Sequence, residues 1–200
     1  TAHAVEYTGA KPIFADINFQ SGNIDINLIK RLINRKTKAI VVVHMAGRLC
    51  LMDELKKILK DKKIHIIEDC AHGLGTTDSY KHSGNFGVAG CFSFYPTKQV
   101  TTGEGGAIIT NNSEFYKKVK ILKAFGIDKD INERKKPGEY DVKSLGFNYR
   151  MTDFQAAMGF LQLKKYSINL RRRQYIAKKY HDLLMNNKNV ILPRYSKNDS

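Results

Sequence analysis

Two hydrophobic patterns alternate along this chain. Apolar runs occur at Ala39–Val43, Val88–Phe92 and Ala107–Ile109, and His65 alone interrupts a fourth over Ile64–Ile67. Short runs without polar alternation predict strands buried on both faces, as in a parallel sheet. On this basis strands are expected over Lys38–His44, from Ile64 through Ile67, over Val88–Phe94 and over Ala107–Thr110. Between them apolar residues recur at helical spacing. Asp25 can cap a helix whose Ile26, Ile29 and Ile33 share a face, and Asp53 opens one through Lys62 with Leu55, Ile58 and Leu59 on one side. Asn112 or Ser113 caps a third helix to about Phe125, and Gly126 ends it. This strand–helix alternation predicts an α/β fold, a three-layer α/β/α arrangement around a mostly parallel sheet.

The flanks are less regular. Ala2–Tyr7 reads as the end of a helix closed by Gly9, and Lys11–Asp16 as a short strand with Pro12 at its start. Met45–Arg48 and Gly73–Gly87 are loops. Asp128–Gly138 is charged, poor in apolar residues and holds Pro137-Gly138, so a mobile loop is expected. Thr152 or Asp153 then starts a helix to about Leu163, with Phe154, Ala157, Met158 and Leu161 as a core-facing stripe. A second helix is expected over Ser167–Met185, with Leu170, Ile176, Ala177, Tyr180 and Leu184 on its apolar side. No internal repeat is visible.

Composition narrows the class. A hydrophobic fraction of 42% over 200 residues is ample for a core. No apolar run approaches a membrane span, and the start lacks the basic and apolar regions of a signal peptide. Cys50, Cys70 and Cys91 lack metal-type spacing, and the apolar, strand-like surroundings of Cys70 and Cys91 read as those of buried free thiols, so a reducing, cytoplasmic setting is expected. The net charge of +15 is spread along the chain, with short runs at Arg134–Lys136 and Arg171–Arg173. Solvated lysines explain it best, attraction of an anionic substrate second and nucleic-acid binding last, because no nucleic-acid motif accompanies the charge.

The candidate chemistry sits where strands end. Lys98 lies in the loop Ser93–Gly106, between two expected strands and before the glycines at 103, 105 and 106. A partly desolvated lysine has a free amine that can attack a carbonyl. Among 34 Lys+Arg, a surface lysine is the competing reading. Glu68-Asp69 ends the strand from Ile64, and ligands of open α/β sheets bind at the carboxyl ends of strands. An aldehyde-trapping lysine with an acid partner for a pyridine nitrogen suits pyridoxal phosphate. For Asp69 the rival is a carboxylate capping the next turn. For Ser93 it is a buried serine satisfied by a carbonyl, and for His72 a loop histidine bonded to backbone.

These segments are ordered as in a known family. Gly9–Pro12, Asp16, Val43-His44, Gly47, Met52-Asp53, Glu68–His72, Cys91–Lys98, Thr102–Gly106 and Gly146–Met151 run through most of the chain. In these the chain resembles the DegT/DnrJ/EryC/StrS sugar aminotransferases among the fold-type I pyridoxal phosphate enzymes. The resemblance implies an aspartate aminotransferase-like large domain over residues 1–165, lacking its N-terminal part. Residues 166–200 would lead into a small domain, so the chain reads as a central fragment that binds the cofactor poorly alone. It also implies pyridoxal 5′-phosphate held by Lys98, with Asp69 on the ring nitrogen, His72 near the ring oxygen and Ser93 on the phosphate. Asn148 would reach the phosphate in a partner subunit of a homodimer, while Arg150 would support its own loop. Glu68 would partner nearby loop donors, and His44 reads as structural. No metal is expected. The implied reaction passes an amino group from an amino acid, chiefly glutamate, to a nucleotide-linked keto sugar. A dehydratase of the same fold, in which histidine replaces the lysine, and a non-catalytic binding or regulatory homologue are the alternatives.

Overall fold

The computed structural model describes residues 1–78, 80–129, 131–194 and 196–200. Its elements are helix α1 (Ala2–Glu6), helix α2 (Ile26–Leu32), strand β1 (Ala39–Val43), helix α3 (Met52–Leu59) and strands β2 (His65–Asp69), β3 (Ala89–Ser93) and β4 (Gly106–Ile109). Helices α4 (Ser113–Leu122) and α5 (Asp153–Leu184) complete the order, and 3-10 turns cover Met45–Gly47 and Ile131–Glu133.

The strands form one sheet in the order β1-β2-β3-β4. β1, β2 and β3 run parallel, and β4 returns antiparallel to β3. The pairing Val43↔Asp69 and Asp69↔Cys91 aligns the carboxyl ends of three strands on one edge. α2 and α3 cover the sheet. Ile26, Ile29, Met52, Leu55 and Leu59 pack with Val42, Ile66, Cys50 and Phe86 into one buried cluster. Removing such apolar surface from water drives the packing.

Local signals start α2, α4 and α5 where expected, whereas α3 begins at Met52 without a side-chain cap and ends at Leu59, short of the expected Lys62. The Asp25 carboxylate accepts the Asn27 N–H at 2.8 Å, and Asn112 Oδ1 accepts the Phe115 N–H at 2.9 Å. Thr152 and Gln155 form a capping box on α5. α4 stops at Leu122, short of the expected Phe125, because Phe125 and Gly126 take positive φ values of 61° and 74°.

Three expectations fail. Lys11–Asp16 is not a strand; the chain makes only the single bridge Ile17↔Ile24 there, and Pro12 brings no backbone donor. The two late helices are one, since Lys164–Ser167 holds no glycine or proline to break it. The stripe Phe154, Met158 and Leu161 is exposed rather than core, with Phe154 at 90%. Asp128–Gly138 holds the Ile131–Glu133 turn and the ion pairs Lys120–Glu133 and Lys129–Glu139, each at 3.3 Å; Asp130 lies outside the described residues.

Candidate active site at the sheet edge

Asp69 is the last residue of β2, and Ser93 the last of β3. Parallel pairing brings both to the same edge as His44, which follows β1. Asp69 is half-buried; Oδ1 accepts the Ala71 N–H at 3.1 Å and Oδ2 the Thr1 hydroxyl at 2.5 Å. It thus caps the next turn with one oxygen and takes a donor from outside the sheet with the other.

Lys98 lies half-buried in the loop from β3 to β4. Its backbone N–H closes a turn on the Tyr95 carbonyl at 2.9 Å. Among the described residues its ammonium has no hydrogen-bond or ion-pair partner. The loop closes on itself: the Phe94 carbonyl accepts the Thr102 N–H at 2.9 Å and the Thr101 hydroxyl at 3.0 Å, while the Phe94 N–H reaches Gly105 O at 2.8 Å.

Ser93 Oγ accepts the Tyr95 N–H at 3.3 Å and, among the described residues, donates to no carbonyl as the competing reading required, so its own proton is available. His72 Nδ1 accepts the Ala46 N–H at 3.4 Å, which ties it loosely to the loop after β1. Asn148 stands apart from this group. It bridges Ala124, and its Oδ1 accepts from Arg150 Nε at 3.0 Å. Arg150 lies 4.9 Å over the Phe125 ring, the loop-supporting position expected of it.

Beneath the edge lies a buried hub that the sequence only hinted at. Glu68 has no exposure, and its carboxylate accepts four donors. Oε2 takes His44 Nε2–H at 2.9 Å and Gly84 N–H at 2.7 Å; Oε1 takes Phe86 N–H at 2.7 Å and Gly87 N–H at 2.6 Å. His44 Nδ1 accepts the Cys50 N–H at 3.2 Å, which places the ring proton on Nε2. Burial pushes the Glu68 carboxyl up, but His44 and the Gly87 and Gly84 amides outweigh it and leave it below the ordinary 4.5. The loop partners are those the sequence assigned to Glu68 in kind.

His44, Glu68 and Cys70 also place ligand-type atoms within 4.8 Å of one another. Their chemistry does not suit a metal. Every Glu68 lone-pair direction is spent on a donor, and burial followed by the Glu68 charge pushes the Cys70 thiol up to about 12. A neutral thiol is not a metal ligand.

The open edge offers a different donor set: a carboxylate, an unpartnered amine and a hydroxyl with a free proton. This set fits a cofactor with an aldehyde, a basic ring nitrogen and an anionic tail. The fold and this edge define an α/β protein with a ligand-type site at the carboxyl ends of its parallel strands. The chain belongs to the DegT/DnrJ/EryC1/StrS aminotransferase family, whose model matches residues 1–200. It is 38% identical over 188 residues to the UDP-4-amino-4,6-dideoxy-N-acetyl-beta-L-altrosamine transaminase of Helicobacter pylori, covering 94% of this chain and 48% of that one. The solved structure of Helicobacter pylori PseC, an aminotransferase in pseudaminic acid biosynthesis, superposes with a TM-score of 0.86 at 36% identity, covering 94% of this chain and 49% of that one. An E. coli GDP-4-keto-6-deoxy-D-mannose-3-dehydratase with bound hydrated PLP gives 0.79 at 29% identity, with 92% and 50% covered. The chain spans about half the length of the curated relatives it matches.

Proposed function

We propose that the protein carrying this chain is a pyridoxal phosphate-dependent aminotransferase that moves an amino group from an amino acid, L-glutamate first among them, to a nucleotide-linked keto sugar. The observation that carries this reading is Lys98. Half-buried Lys98, whose ammonium has no partner among the described residues, sits on the loop that continues the edge holding Asp69 and Ser93. Its amine would hold the cofactor at the aldehyde, and as a free amine it would hold or move a proton at the substrate carbon. Asp69 would hold a proton at the ring nitrogen, the Ser93 hydroxyl would donate to the phosphate and His72 would lie toward the ring oxygen. When bound, the cofactor supplies the electron sink for the carbanion that deprotonation leaves.

Asn148, remote from the edge group in hydrogen bonding, serves the phosphate of a second protomer in a homodimer. Residues 1–165 form the cofactor-binding domain. The join to residues 166–200 then falls inside α5, which runs unbroken from Asp153 to Leu184. The product is an aminodeoxy sugar made in the cytoplasm. Among the described residues no helix is long and apolar enough to cross a membrane.

Dehydration is the second reading, because the E. coli dehydratase shares the fold. Lys98, present here, favours amino transfer. The test is borohydride reduction of the protein with pyridoxal phosphate, followed by peptide mass mapping. A pyridoxyl group on Lys98, and loss of the cofactor's visible absorption with glutamate, are expected. No adduct on a folded protein overturns the reading. An adduct without 2-oxoglutarate release from glutamate, but with loss of water from the sugar, moves it to dehydration.

A further inference from the structure

α5 turns a polar face toward the loop that carries Lys98. Gln155, Gly159, Gln162 and Tyr166 recur at helical spacing along it. Gln162 meets Thr101 twice: Oε1 accepts its N–H at 3.0 Å and Nε2 donates to its carbonyl at 2.8 Å. Gln155 Oε1 accepts the Thr152 N–H at 2.8 Å, while Nε2 reaches the Glu104 carbonyl at 2.7 Å. The Tyr166 hydroxyl lies against the Leu74 carbonyl and, at 3.2 Å, Gln99 Oε1. Gly159 is buried, and a β-carbon there would come within 3.0 Å of the Thr102 methyl.

The chemistry of the contact is selective. Thr101 presents one donor and one acceptor, and an amide is the side chain that answers both at once. A carboxylate would set a second acceptor against the carbonyl. An apolar residue would leave two part-buried backbone groups unpaired. Thr101 and Thr102 both bond back to Phe94, and the Lys98 N–H to the Tyr95 carbonyl, so Thr101 and Lys98 belong to one internally bonded loop.

We propose that Gln162, backed by Tyr166, is a positioning residue for Lys98: α5 sets how far the lysine loop stands from Asp69. This rests on the reading of Lys98 as the cofactor's lysine. It acts through Thr101 and Gln99 and touches no reacting atom.

The experiment compares wild type, Gln162→Met and Tyr166→Phe in the protein as its gene encodes it, with circular dichroism as the folding check. Three readouts follow: the borohydride adduct on Lys98, the dissociation constant for pyridoxal phosphate, and the pH midpoint of the cofactor's visible absorption. Folded Gln162→Met is expected to weaken the cofactor about tenfold, from two lost backbone bonds, and to move the pH midpoint. Tyr166→Phe moves both in the same direction by less, and it carries the test alone if Gln162→Met does not fold. A purely structural role lowers the melting temperature and leaves midpoint and affinity at wild-type values; that result overturns the proposal. No wild-type adduct removes the cofactor reading and the proposal together. A wild-type adduct with unchanged variants removes the proposal alone.

Discussion

Glu68→Gln is the perturbation that tests the buried hub. The carboxylate takes two N–H donors on each oxygen, at 2.6 to 2.9 Å. The amide keeps one oxygen and turns an NH2 toward two of those donors, whichever way it flips. His44 cannot relieve the conflict by changing tautomer, since the Cys50 N–H already occupies Nδ1 at 3.2 Å. Two hydrogen bonds to a charged acceptor are lost, worth roughly 1.5–3 kcal/mol each. Breaking one side of a buried polar pair costs about 3–5 kcal/mol by independent comparison. A local destabilisation of about 3–5 kcal/mol follows, a large part of the ~5–15 kcal/mol that holds a domain folded. Native-state amide exchange reads it directly: Gly84, Phe86 and Gly87 should exchange roughly 10²- to 10³-fold faster or more, at 1.4 kcal/mol per decade. Acceleration below about tenfold would refute the hub as an energetic feature. The pH sign follows from Glu68 titrating below the ordinary 4.5 in the folded protein. Its contribution is full above that value and fades as the pH falls through the folded value. The stability gap between wild type and Glu68→Gln should therefore narrow in acid.

Asp69→Asn should still give the Lys98 adduct but lose about 10²-fold or more in amino transfer, because an amide cannot hold a ring proton as a carboxylate does; unchanged kcat would count against the assigned role. Burial pushes the Cys50 and Cys70 thiols up to about 12, with Glu68 adding to both. Both should react with Ellman's reagent at pH 8 roughly 10³-fold more slowly than a free thiol of pKa ~8.5, until denaturant exposes them. Gly90→Ala sets a β-carbon into the backbone of Gly84 and should cost about 1–3 kcal/mol or more, read as a lower melting temperature.

The sheet was legible because its strands read as apolar runs, although β1 fully buries only Val42 and β4 leaves Ile108 49% exposed. Ala39–Val43 reads as one apolar run and folds as β1 with that same span. β2 was harder, since it runs on through Glu68 and Asp69, two charges that no apolar count includes. Glu68 can lie in a strand only because four donors meet it. Three come from Gly84, Phe86 and Gly87, in a loop whose path periodicity does not describe. The juxtaposition of Asp69 with the Lys98 loop has the same character. It depends on β2 and β3 being parallel neighbours, which sends both carboxyl ends to one edge. Strand direction follows from the crossover connection, whereas neighbourhood does not follow from either strand alone.

α5 shows where the pattern misleads. Its apolar stripe invites burial, yet Phe154 and Leu161 stand 90% and 60% exposed while Gln162 and Tyr166 are half-buried. Hydrophobic periodicity identifies the face with most to gain from leaving water. It says nothing of a polar face that finds donors and acceptors matched to its own. Here the matching groups are the N–H and carbonyl of Thr101 and the carbonyls of Glu104 and Leu74, all in loops. Loops carry unspent backbone groups, so a glutamine-bearing helix face can dock on them where a leucine face would leave them unpaired. Lys98, the lysine proposed to hold the cofactor, sits on a loop, where no strand pleat fixes its amine. That loop then needs a polar clamp, and α5 provides it.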